Sequence, residues 1–144
     1  MKKGFLLSIL ASMIFISCKK SSNTTCSLNS NSIVGSYKIT SYMMTSNGQT
    51  LDLFSDTTYV PFCQRDNIFS INSNGTFAES EGAISCNPPS ASGNTGTWSL
   101  NGNAFSTADS SSTSTFTVSD YSCASFKLIM SDSTGNISIT MTKQ

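Results

Sequence analysis

The chain contains no histidine, and only 11% of its 144 residues are charged, against a usual figure of about 25%. Without histidine, the Ser-His-Asp and Cys-His arrangements that activate a nucleophile near neutral pH have no base. Zinc loses its usual nitrogen ligand, and the cysteines are too widely spaced in sequence for the close Cys-x₂₋₄-Cys pairs of structural zinc sites. No glycine-rich phosphate loop follows a strand and opens a helix. Positive charge is scarce as well: from Ser27 onward Lys38, Arg65, Lys127 and Lys143 face eight acidic side chains, a net charge of −4, which suits no phosphate backbone. No apolar run reaches the roughly 20 residues of a spanning helix, and no window sustains a helical period. Glu79 and Glu81 share a strand face about 7 Å apart, but any strand residues two positions apart do so, and a solvated face is expected for them. The expectation is a non-enzymatic protein with no metal, no cofactor and no nucleic-acid partner.

What the chain does have begins at its amino end. Lys2 and Lys3 precede an apolar run from Gly4 to Ile16, and Ser17 stands before Cys18, the charged, apolar, small-residue layout of a secretory signal. Phe15-Ile16-Ser17-Cys18 resembles a lipobox, the cleavage and acylation site of bacterial lipoproteins. The resemblance implies that residues 1–17 are a signal peptide and that Cys18 is lipidated, with the new amino terminus also acylated, for instance by palmitate. Two or more such chains anchor stably, at about 0.8 kcal/mol per buried CH₂. The implied partner is a membrane, held through Cys18. The implied location is the bacterial cell envelope, the outer membrane favoured and the periplasmic or cell-surface face left open. After Cys18, residues up to Ser32 are polar and rich in Ser, Asn and Thr and read as a flexible tether. Residues 33–144 then form one domain.

That domain reads as short strands between turn signals. Gly35 to Met43 alternates, with Tyr37, Ile39 and Met43 on one face, and Asn47-Gly48 ends the strand. Gln49 to Phe62 is less regular, with Thr57 to Val60 a candidate edge segment. Asp66 to Ile71 and Thr76 to Glu79 flank Ser73-Asn74-Gly75, a hairpin signal. A second hairpin turns at Asn101-Gly102 between Gly96–Leu100 and Asn103–Thr107. Ser114–Val118, Ser125–Met130 and Asn136–Thr142 follow, the last alternating Ile137, Ile139 and Met141 against Ser and Thr. Eight or nine strands with one apolar face predict an all-β antiparallel sheet that closes on itself. An up-and-down β-barrel is favoured over a two-sheet β-sandwich.

With Cys18 acylated, four cysteines remain, and export favours bridging among them. The Asn74-Gly75 hairpin discriminates. A two-residue loop pairs positions summing to 149, which sets Cys63 opposite Cys86 but sends Ile71 and Phe77 to opposite faces. A three-residue loop with left-handed Gly75 sums to 148 and makes Ile71 and Phe77 a core pair. The cysteines then match if Gly82 is a bulge. Both routes join Cys63 to Cys86 and leave Cys26 for Cys123.

Ile33-Val34-Gly35-Ser36-Tyr37-Lys38-Ile39-Thr40, Cys63-Gln64-Arg65-Asp66-Asn67-Ile68-Phe69, Asn74-Gly75-Thr76-Phe77, Glu81-Gly82, Cys86, Gly96-Thr97-Trp98-Ser99-Leu100 and the closing Ile137 to Gln144 together resemble the lipocalin-like domain of small bacterial lipoproteins. The resemblance implies a small antiparallel barrel. Gly35-Ser36-Tyr37 stands where a lipocalin carries Gly-x-Trp. A Thr-Asp-Tyr turn and a late arginine packed on that aromatic have no evident counterpart, neither Lys127 nor Lys143 being read as one. The candidate barrel lining is Tyr37, Met43, Phe69, Phe77, Trp98, Phe105, Phe116, Phe126, Met130 and Met141. The leading expectation is a membrane-anchored lipocalin-like lipoprotein binding a small lipophilic ligand. Its alternative is a structural or accessory envelope module with a packed barrel, interacting through the Gln49–Phe62 and Pro88–Thr95 loops.

Overall fold

The computed structural model describes residues 26–89 and 94–144. The expected signal peptide (residues 1–17), Cys18 and the first part of the tether lie outside the described residues. The described chain forms nine strands: β1 (Gly35–Ser46), β2 (Gln49–Asp52), β3 (Ile68–Ile71), β4 (Thr76–Ser80), β5 (Thr95–Asn101), β6 (Ala104–Ala108), β7 (Thr113–Ser119), β8 (Ser125–Asp132) and β9 (Gly135–Lys143). Each pairs antiparallel with its neighbour in the order β1-β3-β4-β5-β6-β7-β8-β9, and β9 returns to pair with β1. This closure makes an eight-stranded up-and-down barrel and removes the exposed edges a sandwich would keep. β2 stands outside the ring: residues 43–45 of β1 pair with β2 and β9 at once, and Tyr37 pairs with both β3 and β9. β2 and β3 therefore share the edge of β1 opposite β9. Thr57–Val60, a candidate edge segment by its composition, is a turn, with Val60 N–H bonded to the Asp56 carbonyl oxygen.

Alternation along each strand sends one face inward. Ile71 pairs with Phe77, Phe105 with Phe116, Val118 with Leu128, and Phe126 with Met141. Most of these side chains are buried together with Ile33 and Tyr37 in one core. One irregularity changes the face count. Lys38 and Ile39 of β1 oppose Thr142 and Met141, but Ser41 opposes Thr140, so Thr40 is an extra residue on β1. Such a bulge flips every side chain beyond it. Tyr42 and Met44 then lie opposite Ile139 and Ile137, while Met43 lies opposite Ser138 on the outer face.

The two ends of the barrel differ. At the end where β1 begins, residues 29–33 make a single turn. The Asn29 carbonyl accepts the Ile33 N–H, and Asn29 Oδ1 accepts those of Asn31 and Ser32. The turn drives Ile33 into the barrel as a plug, fully buried. The Tyr37 hydroxyl donates to the Ile33 carbonyl oxygen at 2.8 Å, and the Tyr37 ring meets Phe126 edge-on at 5.0 Å. Leu28 packs on the same core, and Cys26 is bonded to Cys123 in the β7–β8 loop. The tether expected to run through Ser32 is thus part of the folded unit from Cys26 onward, because one covalent bond and one buried isoleucine hold it. Lys143 also belongs here. Its ammonium lies 5.8 Å from the centre of the Tyr37 ring and donates to the Val34 carbonyl, so the late cation over the Gly-x-aromatic residue does have a counterpart.

The opposite end carries the long connections, residues 53–67 and 81–89, with turns at 47–48, 109–112 and 133–134; residues 90–93 of the expected Pro88–Thr95 loop lie outside the described residues. Cys63, in a short 3₁₀ turn at Phe62–Gln64, is bonded to Cys86 in the other long loop. The hairpin before it follows the 148 register: Ile71 faces Phe77, and Gly75 has φ 81°. Ladder pairing stops at Ile68–Ser80, so Gly82 is not a strand bulge. A Cβ at Gly82 would collide with the carbonyl oxygen of Asp66, and that close approach of two loops brings the cysteines together.

Candidate binding site

Inside the barrel lies a cavity of about 230 Å³, walled by Ile39, Phe69, Ser70, Ile71, Phe77, Phe105, Thr107, Phe116, Phe126, Leu128, Ile139 and Met141. These residues come from seven strands, and Ser70 and Thr107 are the only polar ones. Glycine makes part of the space: Gly96 faces Phe77 across the ladder, and a Cβ there would strike the Phe77 ring. On five strands, one step away from the plugged end passes from a buried to a partly exposed side chain: Tyr37 to Ile39, Ile71 to Phe69, Phe105 to Thr107, Val118 to Phe116, and Met141 to Ile139. The cavity is therefore shut at the Ile33 plug and opens toward the long loops.

Of the ten residues expected to line the barrel, six surround this cavity: Phe69, Phe77, Phe105, Phe116, Phe126 and Met141. Tyr37 lies beneath its floor, spent on the Ile33 plug. Trp98 stacks on Phe105 at 5.9 Å, and its indole N–H donates to the Asn72 carbonyl at 2.9 Å, which holds it at the closed end beside the wall. Met130 instead lines a small hollow of about 40 Å³ with Met44 and Ile137 near the β8–β9 turn. Met43 is turned outward by the Thr40 bulge. The wall also uses Ile39, Ile71 and Ile139, which alternation and the hairpin register place on apolar faces, and Leu128 of β8. Thr107 gave no such signal, because its type is equally common on the outer face.

No titratable side chain enters the wall. Above it, at the rim, stands Glu79, opposite Phe69 and thus on the inward face. Its Oε1 accepts from Asn67 Nδ2 at 2.8 Å and its Oε2 from Asn94 Nδ2 at 2.7 Å. Glu79 is therefore no simply solvated carboxylate, and Glu81 is not its partner across a pair: its Oε1 accepts the Cys86 N–H. Farther out, Asp52, Asp109 and Asp132 each fold a turn around one carboxylate. Hydrogen bonds hold all three below the usual carboxylate range, chiefly from Ser55, Ser111 and Thr134 respectively. Among the described residues no group of three or more His, Cys, Asp or Glu side chains is arranged to hold a metal ion.

The family model of the lipocalin-like domain matches residues 33–128. The match runs from the Ile33 plug to Leu128 in β8 and includes ten of the twelve wall residues, all but Ile139 and Met141. No curated protein and no solved structure matches the chain.

Proposed function

The chain belongs to the lipocalin-like domain family, and from that premise we propose that its barrel binds a small apolar molecule while tethered to a bacterial membrane through lipidated Cys18. One observation carries the binding reading: an apolar cavity of about 230 Å³, plugged at one end and open at the other. An apolar cavity of about 150 Å³ stays dry and takes up benzene, so this one has room for a ring or a short acyl tail. It is smaller than the roughly 300–1,000 Å³ of drug-sized pockets, which argues against a bulky ligand. Transfer of apolar surface out of water supplies the driving force, at about 25 cal/mol per Å².

The tether reading rests on Phe15-Ile16-Ser17-Cys18. Cys26 is fixed at the plugged end, so a chain anchored at Cys18 enters there and the mouth faces away from the anchoring membrane. Incubation of delipidated protein with a hydrophobic fluorescent probe tests the binding reading. Saturable enhancement is expected for the wild type. Its loss is expected in Ile139→Phe, which fills the wall and leaves the far-ultraviolet circular dichroism unchanged. Absence of enhancement in the wild type, with no co-purifying molecule in native mass spectrometry, would sink the proposal.

A second reading, an accessory envelope module that works through its loops, has its own observation. The four exposed large apolar side chains among the described residues, Leu51, Tyr59, Phe62 and Ile84, all sit on β2 or on the two long loops. Capture of envelope proteins by the wild type but not by a variant shortened at residues 57–62, with probe binding intact, would favour this reading.

A further inference from the structure

We propose that Asn67 and Glu79 form a polar collar above the cavity that holds the head group of an amphiphile, one that donates hydrogen bonds and carries no negative charge. This rests on the ligand-binding reading and names the class of ligand. Asn67 directly precedes β3 and is only 3% exposed. Asn67 Nδ2 donates to Glu79 Oε1 at 2.8 Å, and Glu79 lies opposite Phe69 on the inward face. Phe69 belongs to the cavity wall, so the bonded Asn67–Glu79 pair stands at the wall's upper edge.

The orientation of its amide follows from its neighbour. Nδ2 donates to Glu79 Oε1 at 2.8 Å, and a flipped amide would set two acceptors against each other. Oδ1 is therefore the free end, and it has no hydrogen-bond partner among the described residues. A buried amide oxygen without a donor is unfavourable, and native structures rarely leave one so. Asp66 Oδ1, next in the chain, is also buried and unpartnered, while its Oδ2 accepts the Ile84 N–H at 3.0 Å. Asn67 Oδ1 and the Glu79 carboxylate thus give the collar free acceptor capacity and negative charge, and what it lacks is a donor. A hydrocarbon would leave Oδ1 unpaired, and a carboxylate head would bring like charge to Glu79. A hydroxyl or a protonated amine supplies the missing hydrogen while the tail occupies the cavity below.

The test is displacement of a bound fluorescent probe from the full delipidated chain by hexane, hexanol, hexylamine and hexanoate, which share a tail and differ in the head. Hexanol and hexylamine are expected to displace at roughly tenfold lower concentration than hexane, the worth of one buried hydrogen bond, and hexanoate no better than hexane. In Asn67→Leu the hexanol-to-hexane ratio is expected to fall close to one. Equal potency of all four in the wild type, or an undiminished ratio in Asn67→Leu, overturns the collar while leaving the binding reading in place. Failure of the probe and all four compounds to bind overturns both. Glu79→Gln serves as a second variant should Asn67→Leu not fold. Hexylamine is expected to lose its advantage there while hexanol keeps its own, and an unaltered hexylamine preference counts against the collar.

Discussion

Tyr37 joins three functions in one side chain. Its ring packs against Phe126 beneath the cavity floor, its hydroxyl holds the Ile33 plug, and Lys143 lies over its face. Removing the hydroxyl in Tyr37→Phe leaves the Ile33 carbonyl without that donor and is expected to lower stability by about 1–3 kcal/mol, measured as the shift of the urea midpoint at pH 8. Burial, with Tyr121 as a second cause, pushes the Tyr37 phenol up to about 12, against about 10 in an unfolded chain. Between those values the unfolded chain releases this proton and the folded chain keeps it. Its contribution is therefore complete below about pH 10 and is lost as the pH rises toward 12. Urea midpoints taken at pH 9 and pH 11 are expected to fall more steeply for the wild type than for Tyr37→Phe. An equal fall in both would show that Tyr37 does not set the alkaline limit.

At the scale of strands and turns, two kinds of feature behave differently. Asn47-Gly48, Asn74-Gly75 and Asn101-Gly102 are visible in the sequence because their backbone demands particular residues: Asn47, Gly48, Gly75 and Gly102 all have positive φ, which glycine and asparagine adopt most readily. Gly75→Val is expected to cost about 1–2 kcal/mol and Gly75→Asn less, read from chemical denaturation; equal losses would mean that side-chain bulk, rather than φ, is what matters there. The Thr40 bulge has no such marker. Tyr42, Met43 and Met44 are all apolar, so simple alternation is satisfied whichever of them faces inward, and a single extra residue decides the matter. That is why Met43 reads as lining and is not. Trp98 fails for a different reason: its face is legible, but the Asn72 carbonyl that captures its indole lies 26 residues away. The Asn67–Glu79 contact was equally hidden, since polar residues at a strand's end look alike whether they are solvated or turned in.

Across the whole molecule, the barrel and its two cysteine pairs follow from strand count, alternation and one hairpin register, whereas the cavity's exact wall depends on the bulge and on which loops meet. The two disulfides close loops of very different length, with sequence separations of 97 for Cys26–Cys123 and 23 for Cys63–Cys86. In the chain-entropy account, losing the first costs about 4.7 kcal/mol and losing the second about 3.5 kcal/mol. The double-serine variants are expected to rank in that order by urea denaturation. The reverse order would mean that the loops at the mouth contribute native-state packing beyond chain entropy.

The Cys26–Cys123 bond also sets how the barrel would bear a load. Tension applied through the leading chain reaches Cys26 before it reaches β1, and passes through the sulfur atoms into the β7–β8 loop, beyond β9 from β1. The Ile33 plug then lies slack behind a covalent link, and the ladder between β1 and β9 is not peeled from its end. Stretched by its leader under oxidising conditions, the domain should resist as a ring held at its rim; reduced, it should unzip from the plug inward, opening the cavity from its closed side.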